Sequence, residues 1–166
     1  MDLTLTSVFE FLHVVSAIAV ITGIAGRNLT MGQVPRSATI TEVRTLARLA
    51  GVFDIWLVRP FSLLVLVLGP ITAWRGNWPI FGFIEGAGQD WLLASLIIYA
   101  TVIALVPLVF IPRAKLFDEA MKSSPVDGAV TPTLVAAVKD PAIFAAHAYE
   151  IGAAAVIVFL MVTKPF

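Results

Sequence analysis

The sequence predicts an all-α polytopic membrane protein, a bundle of four transmembrane helices with an amphipathic segment between the first and the second. Three observations carry this reading. Of 166 residues, 59% are hydrophobic and only 13% charged, where soluble domains carry roughly 25% charged residues. The mean hydropathy is +0.95. The apolar residues fall into four long runs with the charges collected between them, so the chain reads as one integral membrane domain over residues 1–166.

The clearest run is Ala142 to Thr163, which is free of proline, lysine and arginine and is closed by Lys164 and Pro165. At ~1.5 Å per residue it crosses a ~30 Å hydrocarbon core as one helix. The first span is read from about Leu5 to Gly26. Its Ser16, Ala19, Gly23 and Gly26 recur every three or four residues, a strip of small side chains that lets helix backbones approach closely in lipid. Ala148 and Gly152 give the fourth span a similar packing face. The second span, Ile55 to Trp74, carries Arg59 and Pro60 near its start, and Pro60 predicts a bend near Trp56, since proline removes a helical hydrogen bond. The third, Trp91 to Ile111, is the simplest, with Pro107 expected to kink its last turns and Pro112 to stop it.

Thr39 and Glu42 have the spacing of a capping box and open an amphipathic stretch that includes Arg44 and Arg48, as expected of a helix at the membrane surface or of an extension of the second span into the cytoplasm. Arg75 to Asp90 is rich in glycine and aromatics and suits an interfacial loop. In the last connection, Arg113 to Lys122 reads as a helix outside the bilayer, and the stretch from Ser123 to Pro132, with its Asp127-Gly128 turn signal, as an irregular loop. Arg27, Arg36, Arg44 and Arg48 lie in the first connection and Arg113, Lys115, Lys122 and Lys139 in the third, against Arg75 alone in the second and Lys164 alone in the tail. The positive-inside rule then predicts that the first and third connections face the cytoplasm and both termini the outer side of a bacterial inner membrane.

Several functions are disfavoured by composition. There is no cysteine, hence no disulfide or thiolate chemistry. The 11 basic and 11 acidic residues balance, and no block of like charges offers a nucleic-acid footprint. No metalloprotease, phosphate-loop or nucleophile-elbow motif is present, and no catalytic residue is assigned.

Charged groups within a span are costly and each needs a reason. From residue offsets, Arg59 and His147 fall roughly 9 Å to the cytoplasmic side of the midplane and Glu150 roughly 4 Å, with Asp54 further out. These form a predicted inner polar layer, extended by Tyr149, in which Arg59 is expected to contact Glu150 with His147 alongside. Glu10 and His13 lie roughly 9 and 4 Å to the outer side, an outer layer that Tyr99 is deep enough to join. The metal content, if any, is not specified by these patterns. The two histidines differ in height by about 13 Å, too much for one haem b held between them, although ligation by His13 alone stays open. Of the two, His13 is where a ligand or partner is expected to meet the protein, with a hydrogen bond to Tyr99 or to a carbonyl as the competing role.

Phe11-Leu12-His13-Val14-Val15, followed by Gly23 and Arg27, together with the ending Leu160-Met161-Val162-Thr163-Lys164-Pro165, resembles a family of predicted four-helix bacterial integral membrane proteins of unknown function. More distantly, the opening helix is similar to those of copper-resistance membrane proteins and of membrane protoporphyrinogen oxidase. The latter resemblance implies His13 as a haem ligand. The expected function is that of a non-enzymatic membrane component, an accessory subunit or scaffold meeting other subunits or a second copy of itself in the lipid bilayer. A proton or small-ion transporter and a haem-binding redox protein are the alternatives.

Overall fold

The computed structural model describes residues 4–125 and 128–166; Asp127 of the expected turn lies outside them. The protein is an all-α, four-helix membrane-spanning bundle. Among the described residues, four helical rods are long and apolar enough to cross a membrane: Leu5–Arg36, Ile40–Arg75, Trp91–Lys122 and Pro132–Thr163.

Helix α1 (Leu5–Met31) begins at Thr4, whose side chain accepts from the Ser7 N–H, and runs 27 residues. That is about five residues beyond the expected end at Gly26, so Arg27 belongs to the helix and not to the connection after it. Helix α2 (Ile40–Phe53) starts on the predicted cap: Thr39 Oγ1 accepts from the Glu42 N–H and the Glu42 carboxylate accepts from the Ala38 N–H. It continues without a break through a π turn (Asp54–Val58) into α3 (Arg59–Arg75).

The π turn has a direct cause in the sequence. Pro60 has no N–H, and its ring would strike the carbonyl one turn earlier in a regular helix. The wider turn relieves this, with the Arg59 N–H donating five residues back to the Asp54 carbonyl. The third rod repeats the device: α4 (Trp91–Leu105) passes through a π turn (Val106–Phe110), and the Ile111 N–H donates to the Val106 carbonyl just before Pro112. Pro112 therefore does not end the helix. It leads into α5 (Ile111–Lys122), while α6 (Pro132–Val138) and α7 (Pro141–Thr163) complete the chain. The short α6, absent from the reading of the sequence, is opened by Thr131, whose hydroxyl accepts from the Leu134 N–H.

Within the bundle α1 lies along α3 and its π turn, α4 lies along α7, and α1 also touches α7. Large apolar side chains such as Leu63, Val67, Phe144 and Val162 face outward, as they should where the surroundings are lipid.

The two ends are built differently. Where α1 meets α2 and α5 meets α6, Val34, Ile40, Val43 and Leu134 are wholly buried with Ala120, and Phe117, Met121 and Val138 close around them. This is a water-soluble style of core, formed where the connector-side ends of the four rods meet. It is tied by the Ile40 N–H donating to the Gly128 carbonyl and by an antiparallel bridge between Thr39 and Ala129. We call this the connector side. On the terminal side, the Phe166 carbonyl accepts from the Asp90 and Trp91 N–H groups. Lys164 places its ammonium 4.0 Å from the Trp78 ring centre, and Trp78 meets Trp91 edge to face at 5.6 Å.

Candidate functional site

The most polar region inside the bundle sits between the two π turns. Arg27 on α1 donates through Nη2 to Glu150 Oε2 of α7 at 2.7 Å and through Nη1 to Asp54 Oδ1 at 3.3 Å. Asp54 opens the first π turn, and its other oxygen accepts from Arg59 Nε at 2.6 Å. Phe110, which closes the second π turn, packs under the Arg27 guanidinium at 5.1 Å. The same ring stacks on His147 at 5.0 Å, and His147 Nδ1 lies 3.4 Å from Glu150 Oε2. A carboxylate only accepts, so the proton of this contact sits on His147 Nδ1. Two guanidinium groups thus face two carboxylates, and the layer is neutral with a neutral imidazole.

The expected partnership of Arg59 with Glu150 is corrected by this arrangement. Glu150 is only 5% exposed and is met by Arg27, whereas Arg59 is 73% exposed and turns back to Asp54, five residues earlier. The physical reason is the length of α1. Continuing to Met31, it carries Arg27 to the depth of Glu150 on the same face as the buried Ser16, Gly23 and Thr30. The spacing was visible: residues 16, 23, 27 and 30 fall on one helical stripe. Tyr149 does not join this layer. Its hydroxyl bonds Thr101 on the surface between α4 and α7, and since Thr101 donates to the Ile98 carbonyl, Tyr149 is the donor.

The outer layer does not assemble as expected. Tyr99 donates to the Ser62 carbonyl of α3 at 2.7 Å. His13 instead packs against Gly69, seven residues further along α3 and so about 10 Å nearer the terminal side. A Cβ at Gly69 would lie 3.1 Å from His13 Cε1 and within 4 Å of both ring nitrogens. The missing side chain is therefore what admits the imidazole. Glu10, one turn before His13, is half-buried and has no ion-pair partner among the described residues.

Haem ligation can be tested on this geometry. His13 Nδ1 is sealed inside and has no hydrogen-bond partner among the described residues, but the ring edge that carries the nitrogens rests on the α3 backbone at Gly69. Iron could not reach Nδ1 without parting α1 from α3, so this packing does not fit ligation through that atom. His147 is already engaged by Glu150 and Phe110. Among the described residues no three His, Asp or Glu side chains converge as metal ligands would.

The small-residue strips are used differently in the two helices that carry them. In α1, Ser16 is buried and donates to the Leu12 carbonyl, and Ala19 is half-buried. At Gly23 a Cβ would come within 2.8 Å of Leu57 Cβ and 3.1 Å of the Val58 nitrogen, so this strip is filled by the first π turn. In α7, Ala148 and Gly152 are exposed, and no atom of the described residues would lie within 4 Å of a Cβ on Gly152.

Residues 7–165 match a family model described as predicted integral membrane protein (DUF2269), and the chain belongs to that family. No curated protein and no solved structure matches it.

Proposed function

We propose that this family member is a non-enzymatic membrane component that associates with another transmembrane helix through the open face of α7. One observation carries the reading: Ala145, Ala148, Gly152 and Ala155 form an exposed small-residue seam, while the corresponding strip of α1 is consumed within the bundle. Lipid gives helices no hydrophobic reason to associate, so close backbone approach over small residues, and the dispersion contacts it allows, supplies the attraction. The charged layer supports the same reading, because its two guanidinium groups and two carboxylates, those of Arg27, Arg59, Asp54 and Glu150, balance in charge.

The chain has no native cysteine, so Ala148→Cys and Gly152→Cys report contacts cleanly. In native membranes either variant is expected to cross-link to a product heavier than the monomer. Gly152→Leu is expected to abolish association and to leave unfolding unchanged, since that position is open. Purely monomeric protein from both cysteine variants would refute the proposal.

In the orientation we propose, the connector side faces the cytoplasm of a bacterial inner membrane and both termini face outward, following the bias of lysine and arginine in the connections. Reporter fusions after Arg75 and within the segment from Ser123 to Gly128 are expected to report opposite sides, the second one cytoplasmic. The reverse assignment, or the same side for both, would contradict it.

A further inference from the structure

Arg59 is anomalous for an arginine in an apolar rod. Its side chain is 73% exposed and its one protein partner among the described residues is Asp54, which takes Nε. Nη1 and Nη2 have no protein acceptor among those residues. A guanidinium facing hydrocarbon without acceptors is costly, and it escapes the cost by reaching toward the headgroup layer.

The depth of Arg59 makes that reach short. Trp56 and Trp74 are 70% and 72% exposed on the same rod, and 18 residues at ~1.5 Å place them roughly 27 Å apart. This is close to the thickness of the hydrocarbon layer, whose two boundaries exposed tryptophans mark. Trp56 then lies at the connector-side boundary and Arg59 less than one turn inside it. Toward that boundary and beyond it, Arg44, Arg48, Val52 and Trp56 continue the same exposed face every four residues. Glu42 lies off this stripe and is bonded to Ala38.

We propose that this face binds the phosphate of an anionic phospholipid in the connector-side leaflet, with Arg59 as its ligand. Asp54 fixes Nε and so orients the guanidinium, leaving its two terminal nitrogens as a fork that matches two phosphate oxygens. Trp56 packs beside the glycerol region, and Arg44 and Arg48 add attraction for an anionic surface. Because Asp54 also accepts from Arg27, the lipid site and the charged layer of the bundle share one carboxylate.

The test is native mass spectrometry of the full chain released from micelles containing equal phosphatidylglycerol and phosphatidylcholine. The wild type is expected to retain phosphatidylglycerol with a preference of about tenfold, and Arg59→Gln to bring the ratio near one, with Arg59→Lys between them. Inorganic phosphate at the same concentration is expected to leave the bound lipid in place. Should Arg59→Gln fail to fold, the Arg44→Gln/Arg48→Gln variant, outside the ion-pair cluster, decides, and a several-fold weaker preference is expected of it. A preference that survives Arg59→Gln, displacement of the lipid by free phosphate, or, where that second variant decides, an unchanged preference in it would overturn the proposal.

Discussion

Replacing Arg27 by glutamine is expected to destabilise the bundle by roughly 3–5 kcal/mol, because it leaves the buried Glu150 carboxylate without its cation. Glu150 is 5% exposed, and its remaining neighbour is His147 at 3.4 Å. Asp54 would keep Arg59, so the loss should concentrate at the junction of α1 and α7. Titration with a denaturing detergent, followed by circular dichroism, measures it. The contrast is Arg59→Gln, for which a loss of about 1 kcal/mol is expected, because Asp54 keeps its bond from Arg27. Equal losses for the two arginines would mean that Arg27 does not hold Glu150.

Gly23→Leu is expected to cost about 3 kcal/mol, through overpacking. A Cβ alone at Gly23 would already meet Leu57 Cβ at 2.8 Å and Val58 Cγ2 at 2.9 Å, and the Val58 nitrogen at 3.1 Å cannot rotate away. Only separation of α1 from the first π turn makes room, which also pulls Arg27 from Asp54. Gly152→Leu is the matched control, with open space around it and no stability loss expected. Gly26 is a softer position: there the close atoms are those of the Phe53 ring, at 2.6–2.8 Å, and a side chain can shift. The same detergent titration separates the three. A Gly23→Leu variant as stable as the wild type would show that the α1 strip is not a tight packing surface.

Hydropathy and proline positions made the architecture legible. Four apolar runs gave four rods, and a π turn lies just before Pro60 and another just before Pro112, the second containing Pro107, where a kink was expected. The partner of Glu150 was less accessible. Arg27 follows Gly26, where the apolar run of the first span gives way to polar residues, and an arginine there reads as a topological signal for the connection. Its true position follows from the stripe of Ser16, Gly23 and Thr30, which carries the helix on through it. Depth estimates matched Arg59 to Glu150 well enough, but depth does not fix the direction in which a side chain leaves its helix. The π turn shifts that direction, since five residues rather than about four make the turn, and Arg59 is left facing outward. Likewise Tyr99, whose depth placed it with Glu10 and His13, donates instead to the Ser62 carbonyl of α3. The pairing of His13 with Gly69 carried no signal in composition, because a glycine in an apolar helix has several uses.

The claim that Arg27 and Glu150 lock the first helix to the fourth rests on one 2.7 Å contact between guanidinium and carboxylate. A double-mutant cycle over Arg27→Gln and Glu150→Gln tests it directly. Each single change is expected to destabilise strongly, and the double variant to be less destabilised than the sum by about 1–3 kcal/mol. Losses that simply add would contradict the claim.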